Sequence, residues 1–250
     1  IYETLRTYHG VPFLLDRHMR RLRTSASAIG ISYDFDVNPL DPIIAEGLRK
    51  SEYASALVYI QLTRGAAPRS HVIPAGLRPT VVLTFRPLPE VSAEYRGRGV
   101  ALMTTPDDRW GRCYIKAITL LPNILARNEA IRRGFDDALF VAGDGEVREC
   151  TSANIFLIRG DSIVTPPRDE SVLHGVTQDF LQDCAAGVGM QMVEERFDVA
   201  ALRGAEEVFM SSTSIEVLGV TRIDEHVIGI GPGPKTRRLL DEFRSRSRGS

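Results

Sequence analysis

The chain has 250 residues, of which 43% are apolar, and a formal net charge of −1 at pH 7. It is long enough to bury the core of one large domain or two small ones. The balanced charge gives no indication of a nucleic-acid or acidic-membrane partner. No apolar run approaches the roughly 18 residues that a membrane span needs, and no signal peptide is recognisable, so we expect a cytoplasmic protein. Cys113, Cys150 and Cys184 are typical of reduced thiols rather than of a disulfide framework.

The first 88 residues are predicted to form a small α/β domain. A hairpin turns at His9–Gly10, and Asp16 is expected to cap the helix that follows. Because Ile1 lies inside the first predicted strand, we expect a further strand to precede the chain as given. The elements predicted in this domain are strand 2–8, strand 11–15, helix 16–29, helix 42–50, strand 56–64 and strand 80–88.

The Pro-, Gly- and charge-rich segment 87–99 contains the predicted interdomain linker, 89–91, and 92–250 forms the predicted larger domain. Hairpins are expected to turn at Gly143–Gly145 and at Gly160–Asp161. The polar tail 244–250 is predicted to lack regular structure. The remaining predicted elements are strand 100–106, helix 122–133, helix 177–186, strand 207–212, a hairpin and helix 235–244. Strands and helices interleave without strict βαβ alternation, which predicts two α/β or α+β domains.

Several common catalytic motifs are missing from the sequence. The glycine-rich stretch GIGPGPKT near Gly229 lacks the Walker spacing, and its prolines remove backbone donors that a phosphate loop needs. The sequence has no CxxC, HExxH or G-x-S-x-G pattern. It therefore gives little support to a metal site or to a Ser/His/Asp hydrolase.

Lysine is rare in this chain, with 3 lysines beside 28 arginines. Lys50 follows a helical stretch and Lys235 lies in the polar GPKTRR, so we expect both at the surface. Lys116 lies in YIKAITLLPNILA, among apolar residues. Its amine either extends to solvent or is buried with a lowered pKa, as a Schiff-base amine requires.

Two segments could donate hydrogen bonds to an anion. Gly175–Thr177 leads into a helix whose first N–H groups lack intrahelical partners, although Thr177 could be simply an N-cap. Ser211–Ser214 follows a strand and could supply further donors or form a solvated turn. Glu149 ends a strand 33 residues after Lys116. A carboxylate there could keep a pyridine nitrogen protonated, or be an ordinary charge at a strand end.

Taken together, these motifs resemble the class IV, fold-type IV aminotransferases that depend on pyridoxal-5′-phosphate (PLP). This group holds the D-amino-acid and branched-chain aminotransferases, (R)-selective amine transaminases and aminodeoxychorismate lyase. The matching stretches, spread in family order over nearly the whole chain, are YETLRTYHGVPFLLDRHMRRL, YIQLTRGAAPRSH, IKAITLLPNILARNEA, EVRECTSANIF, LHGVTQD and SSTS. The resemblance implies a two-domain α/β (α+β) fold with a smaller N-terminal and a larger C-terminal domain.

The resemblance also implies roles for individual residues. Lys116 is expected to form the internal aldimine with PLP and to move the proton between Cα and the cofactor C4′. Glu149 is expected to pair with the pyridine nitrogen, and Arg21 to contact the phosphate. The other cofactor-binding residues implied are Leu173 against the ring and Val176, Thr177, Ser212 and Thr213 at the phosphate. The family site lies between the domains and includes residues of a second subunit, which implies a homodimer.

Substrate choice depends on fewer residues. Arg69 and His71 match the RxH motif with which D-amino-acid aminotransferases bind the substrate α-carboxylate across the dimer, and Tyr2 matches a third member of that carboxylate trap. The alternative interpretation of this segment is a solvated loop. Branched-chain enzymes typically carry an arginine where this chain has Gln61, and Arg6 could also reach a carboxylate.

Three functions remain open at this point. The leading one is a D-amino-acid:2-oxo-acid transaminase. The second is a relative that uses L-branched-chain amino acids or (R)-amines, or an aminodeoxychorismate lyase. The third is a non-catalytic PLP- or phosphate-binding protein, against which the intact Lys116 and Glu149 argue.

Overall fold

A computed structural model describes residues 1–248 of the chain. The chain divides into two compact units, the first made of Ile1–Pro89 with Ile115–Ile118 and the second of Glu90–Tyr114 with the chain from Thr119 onward. Ile115–Ile118 therefore packs with the first unit, although it falls within the range 92–250 predicted for the larger domain. The domain limits drawn from the sequence remain predictions.

The first unit contains a four-stranded antiparallel sheet in the order β2-β1-β3-β4. Its elements are β1 (Tyr2–Tyr8), β2 (Val11–Pro12), α1 (Leu15–Ala28), α2 (Asp41–Ser51), β3 (Ala56–Thr63) and β4 (Thr80–Pro87). β1 and β2 form the predicted hairpin, in which His9 and Gly10 have φ of 50° and 81°. The predicted cap at Asp16 is wrong, because the N-cap is Leu14, two residues earlier, and Asp16 lies in the first turn of α1.

The sheet of the first unit has one buried and one half-buried face. Successive strand residues point to opposite faces, and in β3 buried and half-buried residues alternate throughout. α1 packs against β1 and α2 against β4, with Leu22 and Ile44 fully buried. The opposite face carries Tyr2, Tyr59 and Gln61, because Tyr2 pairs directly with Gln61 in the register of β1 and β3.

The second unit contains a nine-stranded sheet in the described chain, with the order β10-β9-β8-β11-β12-β5-β6-β7 and β13 beside β12. Its strands are β5 (Val100–Pro106), β6 (Asp137–Val141), β7 (Val147–Cys150), β8 (Asn154–Arg159), β9 (Ser162–Thr165), β10 (Gln191–Glu194), β11 (Glu207–Ser212), β12 (Glu216–Ile223) and β13 (His226–Val227). Its helices are α3 (Ala93–Arg98), α4 (Leu121–Arg132), α5 (Val176–Gly187), α6 (Val199–Arg203) and α7 (Pro234–Arg248). β9–β10, β5–β12 and β5–β6 pair in parallel, and the other pairs are antiparallel.

Most elements of the second unit match the sequence prediction, and β5 and β11 match it residue for residue. The short elements α3, β10 and α6 were not predicted. The sequence predicts no regular structure for 244–250. This prediction is wrong for residues 244–248, because α7 continues to Arg248. Residues 249 and 250 lie outside the described residues. Within residues 1–248, none of the helices combines the length and apolar character needed to cross a membrane.

Candidate functional site

Lys116 belongs to the first unit, and its main chain is fixed on both sides. The Lys116 N–H donates to Ser25 Oγ at 3.1 Å, and the Lys116 carbonyl accepts from the Tyr2 N–H at 2.9 Å. The side chain places Nζ 4.3 Å from the centre of the Tyr2 ring. Tyr2 in turn stacks on Tyr59 with ring centres 5.6 Å apart. The half-buried face of the sheet therefore presents a lysine amine against an aromatic surface.

The other two lysines form ion pairs with carboxylates. Lys50 Nζ lies 3.2 Å from Glu46, with both side chains exposed as predicted for this lysine. Lys235 Nζ lies 2.8 Å from Glu206, and the Lys235 side chain is 28% exposed. Lys116 differs from these two lysines in placing its amine over the face of the Tyr2 ring.

Arg21 is held by a buried carboxylate that sequence analysis missed. Arg21 Nε lies 2.7 Å from Glu3 Oε1 and Arg21 Nη2 lies 2.9 Å from Glu3 Oε2. His18 Nδ1 lies 2.8 Å from the same Oε2. Burial raises the pKa of Glu3, but the charges and hydrogen bonds of Arg21 and His18 outweigh it and hold this pKa well below its usual range. Glu3 is therefore ionised and can only accept, so Nδ1 carries the His18 proton.

Glu149 is a buried carboxylate of the second unit, as its proposed role requires. Glu149 Oε1 accepts from Arg109 Nη1 at 2.6 Å and from the Leu173 N–H at 3.0 Å. Asn154 Nδ2 lies 3.3 Å from Oε2 and also donates to the Leu173 carbonyl at 2.9 Å. The carboxylate is thus tied to the segment that contains Leu173.

Arg109 is the second functional candidate that sequence analysis missed. Its guanidinium donates to both oxygens of Asp107, at 2.8 and 2.9 Å, and to the Ser171 carbonyl at 3.1 Å, and lies 4.4 Å from the centre of the Phe140 ring. Burial alone would lower the pKa of Arg109, but the hydrogen bonds and charges of Asp107 and Glu149 raise it above its usual range. Arg109 therefore stays charged behind Glu149.

The predicted anion-binding turn lies at the start of α5. Gly175 is the N-cap residue and provides no side-chain cap, so Thr177 is not the cap. A Cβ on Gly175 would lie 2.1 Å from Asn154 Oδ1, so this close approach needs a glycine. Ser211 Oγ is buried and has no hydrogen-bond partner among the described residues, and Ser211 pairs with Asn154 in the sheet register. Backbone N–H groups at the start of α5 and a buried hydroxyl on β11 are suitable donors for an anion.

The remaining predicted site residues occupy more exposed positions. Ser212 Oγ lies 3.4 Å from Ser214 Oγ, in the turn that also contains the half-buried Thr213. Arg69 Nη2 lies 3.2 Å from His71 Nε2, on the exposed loop between β3 and β4.

Gln61, which stands where branched-chain enzymes typically carry an arginine, and Arg6, which could reach a carboxylate, both have close neighbours in the first unit. Gln61 Oε1 accepts from the Tyr59 hydroxyl at 2.7 Å. Arg6 is buried, with its guanidinium carbon 4.3 Å from the centre of the Tyr8 ring.

The missed residues had only partial signals in the sequence. His18, Arg21 and Ser25 recur at a helical spacing that puts them on one face of α1, which would have grouped them. Asp107 and Arg109 follow β5 directly, but nothing in the sequence pairs Arg109 with a carboxylate 40 residues later.

Comparison with known proteins identifies the family of the chain. A family model described as amino-transferase class IV matches residues 1–223. D-alanine aminotransferase from Staphylococcus epidermidis is 35% identical over 244 residues, covering 97% of this chain and 86% of the relative. The corresponding values for D-alanine aminotransferase from Bacillus licheniformis are 36% over 241 residues, 96% and 84%.

Solved structures share the fold. The branched-chain amino acid aminotransferase of Escherichia coli superposes with a TM-score of 0.89 at 27% identity, covering 100% of this chain and 86% of that one. The PLP-bound branched-chain enzyme of Thermobaculum terrenum gives 0.88 at 24%, covering 100% and 85%. The predicted mixed α/β fold, aminotransferase chemistry and PLP cofactor are confirmed. The chain belongs to the class IV aminotransferase family.

Proposed function

We propose that this protein is a D-amino-acid:2-oxo-acid aminotransferase in which Lys116 carries PLP. The observation that carries the proposal is the position of the Lys116 amine against the Tyr2 ring, with Gln61 rather than an arginine opposite Tyr2. The D-alanine aminotransferase relatives, matched over 97% of the chain, support the same substrate class.

The donor set of the described residues suits each part of PLP. Lys116 offers a primary amine for the aldehyde, and Glu149 offers a buried carboxylate for a protonated ring nitrogen. The uncapped start of α5 offers backbone donors for the phosphate at Val176 and Thr177, and Ser211 adds a buried hydroxyl. Arg21 adds a guanidinium for the same phosphate.

The protein groups then have distinct tasks. PLP, when bound, supplies a ring that accepts the electrons released as the substrate Cα–H bond breaks. Lys116 Nζ would accept that proton from Cα and deliver it to C4′ of the cofactor. The Glu149 carboxylate would stabilise the protonated form of the ring nitrogen, and Leu173 would pack against the ring. Ser212 and Thr213 complete the proposed cofactor site with hydroxyl donors.

Substrate orientation depends on the α-carboxylate. We propose that Tyr2 binds it together with Arg69 and His71 of a second subunit, because those two residues lie close together on an exposed loop. A guanidinium binds a carboxylate in a two-pronged, charge-assisted pair. With the α-carboxylate held in this way, we expect the Cα–H bond of D-amino acids to face Lys116.

We propose a homodimer, because the proposed carboxylate site needs Arg69 and His71 of a second subunit. A second observation supports it. Four apolar side chains lie on one face of α4, each more than half exposed: Leu121, Ile124, Leu125 and Ile131. A stripe of this kind favours burial against another subunit. The three cysteines form no disulfide among the described residues, which agrees with the cytoplasmic location that we also propose.

An enantiomer-paired activity screen tests the proposed function. D-alanine, L-leucine and (R)-1-phenylethylamine are each supplied with 2-oxoglutarate, and formation of glutamate is measured. We expect D-alanine to be the fastest donor. Faster turnover of L-leucine would instead support a branched-chain enzyme, the activity of the E. coli structure with 27% identity.

A further inference from the structure

Glu3 is a buried carboxylate to which the proposed chemistry assigns no task. Four donors surround it: Arg21 Nε at 2.7 Å, Arg21 Nη2 at 2.9 Å, His18 Nδ1 at 2.8 Å and the Thr4 N–H at 3.2 Å. A carboxylate offers about four acceptor positions. Glu3 is thus fully hydrogen-bonded although none of its surface is exposed.

One face of α1 connects Glu3 to the segment that carries Lys116. His18, Arg21 and Ser25 are spaced by three and four residues, which places them on the same helix face. His18 and Arg21 bind Glu3, whereas Ser25 Oγ accepts the Lys116 N–H. The arginine proposed for the phosphate and the lysine proposed for the aldehyde are therefore held by the same helix.

The Glu3–Arg21 pair has two opposite effects on an anion that approaches Arg21. Its two parallel hydrogen bonds fix the plane of the guanidinium, which removes rotamer freedom that the side chain would otherwise lose on binding. The negative charge of Glu3, however, lowers the attraction for a phosphate. Four donors compensate this charge, and the Glu3 side chain is more deeply buried (0% exposed) than that of Arg21 (11%).

We propose that Glu3 is a positioning residue that presents Arg21 to the cofactor phosphate. By orienting the Arg21 guanidinium, Glu3 strengthens phosphate binding more than its negative charge weakens it. The inference rests on the proposed PLP-binding role of Arg21. It concerns the phosphate alone, so Glu3 should matter for PLP and not for pyridoxal, which has the same ring and aldehyde without the phosphate.

The test measures Kd for PLP and for pyridoxal on the apo-form of the full chain, by absorbance titration. In Glu3→Gln, which keeps the size of the side chain and removes its charge, we expect the preference for PLP over pyridoxal to fall by about tenfold. Glu3→Asp keeps the charge but shortens the side chain, so it should no longer hold the Arg21 guanidinium in place. We therefore expect the preference for PLP over pyridoxal to fall in this variant too. Asp136→Asn is the matched control, because Asp136 also binds an arginine, Arg98, through both oxygens. This variant should keep the preference of the unmodified protein for PLP over pyridoxal.

A double-mutant cycle shows whether Glu3 acts through Arg21. Arg21→Met should reduce the preference for PLP, and adding Glu3→Gln to it should reduce the preference no further. An unchanged or greater preference in Glu3→Gln, or a full further loss in the Arg21→Met background, would overturn the inference while leaving the proposed function intact. Failure of the unmodified protein to bind PLP would overturn both.

Discussion

Arg109 Nη1 lies 2.6 Å from Glu149 Oε1, and both side chains are more than nine-tenths buried. Asp107 binds two other nitrogens of the same guanidinium, at 2.8 and 2.9 Å. Arg109 therefore joins the end of β5 to the end of β7, and Glu149 cannot rotate without breaking this pair. Protein groups alone therefore fix the orientation of the carboxylate proposed for the cofactor ring nitrogen.

Removal of the Arg109 guanidinium should destabilise the protein. Arg109→Met leaves the buried Glu149 and the partly buried Asp107 without their shared cation, and breaking a buried pair in this way costs about 3–5 kcal/mol. Urea denaturation measures the free energy of unfolding. Arg112→Met, at an exposed arginine of the same segment, is the control and should change stability by less than about 0.5 kcal/mol. A similar small effect in Arg109→Met would show that the pair does not stabilise the fold.

Arg69 should discriminate between amino acids and amines. Arg69→Ala removes a charge-assisted pair worth roughly 1.5–3 kcal/mol, so kcat/KM for D-alanine should fall by about ten- to a hundredfold or more. (R)-1-phenylethylamine has no carboxylate and should be affected much less. Arg78→Ala, at another exposed arginine of the same loop, should leave both substrates unchanged. Equal losses for the two substrates in Arg69→Ala would indicate a structural role for the loop.

The proposed contribution of Arg69 to a neighbouring subunit predicts complementation. Lys116→Ala and Arg69→Ala homodimers should both transaminate D-alanine poorly. In a mixed dimer, one site combines an intact Lys116 with an intact Arg69 from the other chain. Activity should therefore recover in heterodimers purified through two different affinity tags. Heterodimers that remain as inactive as their parents would place Arg69 in the site of its own subunit or in none.

The stability that Glu3 contributes should depend on pH. Its pKa in the folded protein lies below the value of about 4.5 that an unpaired glutamate has. The contribution is therefore fully present above that value and is lost as the pH falls toward the folded pKa. The difference in unfolding free energy between the unmodified protein and Glu3→Gln should be constant from pH 7 to about pH 6 and shrink between about pH 5 and pH 3. A difference that grows on acidification would contradict the ionised state of Glu3.

Local pattern was enough to predict most of the strands. The alternation in YETLRTY and ALVYIQLTR, and the glycines at Gly10, Gly145 and Gly160, gave hairpins close to those observed. All three glycines have positive φ, for which glycine has no steric penalty. The cap predicted for the first helix lies two residues too late, because the observed N-cap, Leu14, has a left-handed backbone and no capping side chain, so no sequence signal marks it.

Long-range pairing was not predictable from one sequence. Glu3 binds residues 15 and 18 positions away, and Arg109 binds a residue 40 positions away. Each of these side chains, considered alone, is an ordinary surface charge. Ile115–Ile118 was assigned to the larger domain by chain continuity, whereas its hydrogen bonds to Tyr2 and Ser25 belong to the first unit.

Reduction of the PLP-loaded protein with borohydride, followed by peptide mapping, tests the assignment of Lys116 most directly. Reduction makes the link between the cofactor and its lysine permanent, and the chain offers only three lysines as candidates. We expect a yellow protein whose visible band disappears on reduction, with the modified lysine at Lys116. A modification at Lys50 or Lys235, or no PLP bound after reconstitution, would contradict the proposed function.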